Sequence, residues 1–375
     1  MSRIAILGAG AWGTALAFSL HRRGGHSLTL WAHCGELAQQ IVDAGENTQF
    51  LPGFPLPAAI HVTAAGAALT AAEIVVSAIP SEFLRPTLMR IRSHMRAGQF
   101  VVSVTKGLEN ETQLRMTEVI ADCLSQGASP DRPTPLTPLT PLTPLTPLTP
   151  LTPLTPLTPL TPLTPLTPLP LPVGALSGPS FALEVAQGQP TAVTVAFSDP
   201  QIAALVQQEF SSESLRLYTS TDVIGVELGG ALKNVIAIAA GVAVGVGLGN
   251  NSIAALITRG IVEITRLAVA CGARRETLAG LSGMGDLVLT CTGSLSRNRS
   301  VGQALGQGRK LPEILSSLGG KVAEGVLTTR AALGLARQHG VEMPITEQME
   351  QILDAGKDPR EAIRELMLRP GKDEH

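Results

Sequence analysis

The chain has no excess of positive charge: 28 Lys and Arg stand against 30 Asp and Glu in 375 residues, a net charge of −2. It is also poor in aromatics, with one Tyr, two Trp and eight Phe. Lacking a basic stripe and stacking platforms, it does not read as a nucleic-acid binder. Cysteine is scarce too. Cys34, Cys123, Cys271 and Cys291 lie far apart and form no CxxC pair, so neither a zinc site nor a disulfide framework is expected, no metal is called for, and a reducing cytoplasm fits. The first residues run from Met1 into a strand-like stretch at 4–7, without the basic, apolar and small-residue order of an export signal. The apolar stretch at 235–248 is shorter than the roughly 18 to 20 residues of a membrane span. Gly241, Gly245 and Gly247 interrupt it, so we expect no membrane span but a buried core helix that breaks into a glycine-rich loop.

What is present is enough apolar material for a large core. Hydrophobic residues make up 44% of the chain, and its length suits two domains. Residues 4–7, 27–31, 74–78 and 100–104 are short β-like runs with helical patterns between them, which implies a doubly wound, mostly parallel sheet. From Asp222 onward the strand pattern stops. Helical periodicities follow at 222–240, 253–271 and 326–339, so the second domain is expected to be all-helical. The expected division is an α/β domain over 1–220 and an all-α substrate and catalytic domain over 221–375.

Between them, residues 134–169 are twelve consecutive Thr-Pro-Leu triplets. Proline at every third position removes backbone donors and pushes each preceding residue toward extended geometry, so the tract cannot join a packed core. An insert at about 130–172, running over the surface, is expected. A ligand for proline-binding grooves and a tolerated repeat expansion are the two readings, and the second needs no partner.

The chemistry begins at residues 4–17, IAILGAGAWGTALA, a strand, a GxGxxG turn and a helix start in order. Gly8 permits the tight turn, Gly10 lets the backbone approach a pyrophosphate, and Gly13 allows the helix to pack closely on the strand. Free N–H groups at the helix start then face the phosphates. This is the pattern of a dinucleotide-binding Rossmann domain. The second strand ends at Trp31-Ala32-His33-Cys34, without the carboxylate that usually holds the ribose 2′-hydroxyl of NAD, which removes the usual bar to NADP. His33 is placed to contact the adenosine end.

Lys233 sits in the expected helix with no other charged residue between Glu227 and Arg259. A surface lysine on a helix finds partners three or four positions away, so Lys233 points into a cleft or to a partner elsewhere in the fold, unless it merely snorkels. Gly229 and Gly230 one turn earlier allow close approach. Lys106 follows the strand at 100–104, at the edge of the sheet where ligands bind. Asp286 in SGMGDL and Arg297 with Asn298 in SRNR suit a small phosphorylated substrate, which needs a cationic fork and a proton donor. A helix cap and a solvated loop charge are their ordinary alternatives.

Together these segments resemble the bacterial-type NAD(P)-dependent sn-glycerol-3-phosphate dehydrogenases. The shared motifs are GAGAWGTALA at 8–17, FLPG at 50–53, TKGLE at 105–109, SGPSFA at 177–182, IGVELGGALKNVIAIAAG at 224–241, GMGDLVLTCT at 283–292, SRNR at 296–299 and VAEGV at 322–326. The resemblance implies reversible hydride transfer between NAD or NADP and C2 of dihydroxyacetone phosphate, giving sn-glycerol 3-phosphate for glycerophospholipid synthesis. It implies Lys233 as proton donor and acceptor, with Lys106 and Asp286 beside it. It further implies Gly178, Ser296, Arg297 and Asn298 at the substrate. Gly8, Gly10, Ala11, Trp12, Gly13, His33, Lys106, Ser180, Ala182, Arg297, Val322 and Glu324 are implied at the cofactor. A homodimer is an assembly the resemblance allows for.

Three departures stand out. Cys34 occupies a position where such proteins commonly carry Arg. The loop after the Lys233 helix has Val244 and Ile253 where an acid and a base are usual. The repeat enters shortly before 177–182, so the fold must route it away from the cleft. A catalytically silent dinucleotide-binding scaffold and a related dehydrogenase of another small hydroxy substrate are the competing readings; Arg297 and the paired lysines weigh against the latter.

Overall fold

The computed structural model describes residues 2–125, 171–317, 323–371 and 373. The Thr-Pro-Leu tract and the cofactor candidate Val322 lie outside the described residues. β-Branched and apolar runs buried on both faces build the sheet, as IVVS does at Ile74–Ser77, because helices cover it from both sides. Its strands are β1 (Ser2–Leu7), β2 (His26–Trp31), β3 (Ile60–Thr63), β4 (Ile74–Ser77), β5 (Phe100–Ser103), β6 (Val173–Ser177), β7 (Thr191–Ala196) and β8 (Leu215–Ser220). Their order is β3-β2-β1-β4-β5-β6-β7-β8. Every pairing is parallel except that of β6 with β7. The doubly wound sheet expected from the sequence is therefore present, and the strand order reverses between β1 and β4, where such folds open a ligand crevice. The sequence pattern had pointed to β1, β2, β4 and β5. It missed β3 and the last three strands; β8, at the sheet edge, buries Leu215 and Leu217 but exposes Arg216 and Tyr218, which dilutes its apolar signal.

Helices α1 (Ala11–Arg23), α2 (Gly35–Ala44), α3 (Ser81–Ile91), α4 (Met116–Ser125), α5 (Ala182–Ala186) and α6 (Pro200–Phe210) belong to the sheet half. The second half is helical: α7 (Val223–Val246), α8 (Asn250–Ala270), α9 (Arg275–Ala279), α10 (Asp286–Thr292), α11 (Arg297–Gly306), α12 (Leu311–Ser317), α13 (Glu324–His339), α14 (Pro344–Asp354) and α15 (Pro359–Met367). Helix α7 is the central beam. Asp222 caps it by accepting from the Gly225 amide at 2.9 Å. Its other oxygen accepts from the Arg274 amide and the Thr277 hydroxyl.

Two expectations about α7 need correction. It does not break at Gly241 or Gly245 but runs on to Val246 and ends at Gly247 in the left-handed conformation. Both glycines face α11: a Cβ on Gly241 would collide with the Arg299 carbonyl, and one on Gly245 with that of Gln303. Gly302 and Gly306 answer from α11, where a Cβ would strike the carbonyls of Ile238 and Val242. These glycines are contact points between helices rather than breakers. With 24 residues, α7 is also long and apolar enough to cross a membrane, but 83% of its most apolar window is buried inside the protein. It is a core helix.

Glu227 fastens α7 to the sheet half. Its carboxylate accepts from the Thr117 amide at 2.8 Å and the Thr117 hydroxyl at 2.6 Å, and pairs with Arg115. A buried charge persists only with such partners.

Candidate active site

The turn after β1 has the geometry its sequence implied. Gly8 takes φ +114, and a Cβ there would lie 2.6 Å from the Ala78 carbonyl oxygen. Gly13 packs so close to Gly8 and Ala78 that no side chain fits. Around Gly10, by contrast, a Cβ would meet nothing within 4 Å, and no side chain caps the start of α1. An open backbone surface thus meets uncapped helix N–H groups, which suits a pyrophosphate. The indole Nε1 of Trp12 is buried without a hydrogen-bond partner among the described residues, a donor left for a ligand. Asn47 stiffens the turn, its Nδ2 donating to the Ala9 carbonyl at 2.9 Å and to the Thr14 hydroxyl at 2.8 Å. The residues present fit a dinucleotide.

Across the crevice stand two ammoniums and one carboxylate. Lys233, from the middle of α7, is buried and donates to Asp286 and, at 2.6 Å, to the Thr290 hydroxyl. Lys106, just beyond β5, donates to the other oxygen of Asp286 at 2.6 Å and to the Gly178 carbonyl at 3.0 Å. Gly230 makes room for this meeting, since a Cβ there would run into the Ser177 hydroxyl and approach the Lys106 side chain. Gly229 does the same against the Ser282 carbonyl. Lys233 therefore has its partner elsewhere in the fold, and Asp286 is the hub of the cluster rather than a helix cap. Two positive charges against one negative leave the cluster net cationic. Burial pushes the Lys233 pKa down to about 8, against the pull of Asp286 and with the push of Lys106.

The phosphate-end candidates gather one helix away. Ser296 caps α11 by accepting from the Arg299 amide at 3.2 Å. Asn298 is buried, donating to Asn234 Oδ1 at 2.9 Å and accepting from the Gly325 amide at 3.0 Å. This one amide thereby joins the neighbours of Lys233, Arg297 and Glu324, leaving one of its two N–H groups for a ligand. Arg297 combines exposed surface with protein on several sides, the setting of a group lining a cleft. Desolvation lowers its pKa and the charge of Glu324 pulls it back up. Glu324 accepts from the Ser81 hydroxyl at the start of α3, so α13 reaches the sheet edge; burial pushes its carboxyl up, opposed by that hydrogen bond.

Gly178 takes φ +149 against Val193 and receives Ser180 Oγ on its carbonyl at 2.9 Å, while Ala182 begins α5. Ala11 opens α1 beside Trp12. His33 is exposed two residues beyond β2, and its carbonyl accepts from Arg90. The sequence reading passed over Thr290, Asn47 and Ser81. Thr290 could have been found, since it stands four residues after Asp286 on one helix face; the others meet the site only through tertiary packing.

Comparison with known proteins agrees with this geometry. The models for the N-terminal and C-terminal parts of NAD-dependent glycerol-3-phosphate dehydrogenase match residues 3–130 with 164–203, and 222–364. The glycerol-3-phosphate dehydrogenase (NAD(P)+) of Acidobacterium capsulatum is 52% identical, with 100% of both chains covered. That of Koribacter versatilis is 51% identical over 100% of this chain and 99% of its own. The crystal structure of glycerol-3-phosphate dehydrogenase from Coxiella burnetii superposes with a TM-score of 0.83 at 35% identity, covering 98% of this chain and 99% of that one. The chain belongs to the NAD-dependent glycerol-3-phosphate dehydrogenase family.

Proposed function

We propose that this enzyme reversibly reduces dihydroxyacetone phosphate to sn-glycerol 3-phosphate, the backbone precursor of glycerophospholipids, with NAD(P)H, using Lys233 as the proton donor. The observation that carries this reading is the Asp286 carboxylate held between the ammoniums of Lys233 and Lys106. Gly8, Gly10, Ala11, Trp12 and Gly13 would hold the dinucleotide's pyrophosphate side, with His33 at its adenosine end and Ser180, Ala182, Arg297 and Glu324 along its length. When bound, the dinucleotide supplies the hydride that C2 of the substrate receives.

The chain's own residues manage the charge that follows. As C2 is reduced its oxygen becomes more basic, and Lys233, directed by Asp286 and Thr290, donates a proton to it. Lys106 adds a second positive charge beside the same oxygen, the electrostatic stabilisation such a transition state needs. At the far end, Arg297 and the N-terminus of α11 capped by Ser296 offer a planar cation and free N–H groups to a phosphate, with Asn298 behind them. In the reverse direction neutral Lys233 takes the proton from the alcohol.

Purified protein given dihydroxyacetone phosphate is expected to consume NADH or NADPH, read as loss of reduced-nicotinamide absorbance. No loss with either dinucleotide overturns the reading. The four cysteines are free thiols, which agrees with a reducing cytoplasm. A homodimer is one assembly this reading allows, to be checked against the monomer by sedimentation.

A further inference from the structure

The end of β2 carries neither the acid of an NAD site nor the arginine that would follow His33, yet a cation stands there. It arrives from α3. Arg90, the penultimate residue of that helix, donates from Nη2 to the His33 carbonyl at 3.1 Å and lies with its Cζ 5.5 Å from the centre of the Trp31 ring. Trp31 is the last residue of β2, paired in register with Leu7, and its carbonyl accepts from the Gly8 amide at 3.0 Å. The guanidinium is therefore tied to the strand end that abuts the glycine turn, where Rossmann domains place the ribose 2′-substituent of the adenosine.

We infer that Arg90 is the group that receives the 2′-phosphate of NADPH in this chain, in place of the missing arginine at Cys34. Several observations support it. Among the described residues Arg90 has no carboxylate partner, so its charge is free. The one acid close by in sequence, Glu36, is engaged by its own backbone amide and the Cys34 thiol, which hold its carboxyl below the usual range. A guanidinium carries five N–H donors, and the His33 carbonyl takes one, leaving a fork for phosphate oxygens. A cation–π contact with a buried indole and one hydrogen bond restrain that fork, so less conformational freedom is lost when an anion binds. Gly35, two residues beyond His33 at the uncapped start of α2, has nothing within 4 Å of where a Cβ would stand.

The inference rests on the dinucleotide reading given above, and one experiment separates the two. NADPH and NADH are titrated into the purified, substrate-free protein, binding being followed by nucleotide fluorescence, for the wild type, Arg90→Gln and Arg90→Lys. Loss of a charge-assisted contact to phosphate is expected to lower the ratio of NADPH to NADH affinity about tenfold or more in Arg90→Gln. Arg90→Lys is expected to recover part of it, through charge without the planar fork. An unchanged ratio, or equal weakening of both nucleotides, overturns the assignment while leaving the dinucleotide site intact. Failure of the wild type to bind NADPH overturns the assignment, and failure to bind either nucleotide overturns the site itself.

Discussion

A buried ammonium is costly to keep charged even beside a carboxylate. For Lys233 burial outweighs Asp286, and the pKa of about 8 falls where both protonation states are populated near neutrality. That sets opposite demands on the two directions of the reaction. Reduction needs the ammonium, so its kcat/KM is expected to fall as pH rises through about 8; oxidation needs the free amine and should climb through the same value. Lys233→Met, which keeps the length but not the proton, should remove both limbs and lower turnover by roughly 10²- to 10⁴-fold, with NADH binding little changed. Limbs of the same sense in both directions would rule Lys233 out. The linkage to folding has its own sign: above about 8 the unfolded chain holds more protons at this residue than the folded one, so its contribution to stability grows with pH until the unfolded lysine also titrates. Lys233 and Asp286 could be singled out in the sequence because each is a charge isolated among apolar or small neighbours, and Arg297 because a phosphorylated substrate needs a cationic fork. Arg90 could not. It lies 57 residues from the His33 it contacts, and only the packing of α3 against the end of β2 brings the two together.

At the scale of elements, the crossing of α7 and α11 decides how the helical half is built. Gly241 and Gly245 on one helix and Gly302 and Gly306 on the other bring backbone against backbone, with no side chain between. In sequence the α7 glycines look like breakers, since glycine lowers helix propensity; a close neighbour offsets that loss, and no local pattern reveals the neighbour. Gly302→Ala sets a methyl against the Ile238 carbonyl and within 3 Å of the Val242 amide nitrogen, atoms that cannot rotate away. It is expected to destabilise the protein by about 1–3 kcal/mol, read as a lower urea midpoint at unchanged slope. A midpoint equal to that of the wild type would mean that the helices are free to part.

For the whole molecule, the sheet and the helical half share one site: Lys106 comes from the first and Lys233 from the second, and Asp286 binds both. Glu227 and Glu324 add further ties from α7 to Thr117 and from α13 to Ser81. The Thr-Pro-Leu tract lies outside the described residues. The family's N-terminal model passes over residues 131–163, which hold most of the tract. Removing residues 134–169 is accordingly expected to leave kcat/KM for dihydroxyacetone phosphate within about twofold, as loop length bears weakly on a fold held by other contacts. Loss of turnover with the fold retained would give the tract a role in catalysis.

The bare crossing of α7 and α11 also acts as a gauge. Lys233 belongs to one helix and Arg297 to the other, while Asn234 and Asn298 fix the two in register by a hydrogen bond of 2.9 Å. With no side chain between the backbones at these four glycines, the span from Lys233 to Arg297, the proposed proton donor and phosphate clamp, follows from main-chain geometry. Selectivity for a substrate of three carbons over a longer phosphorylated ketone would then be a property of the helix pair, measured out before any ligand arrives.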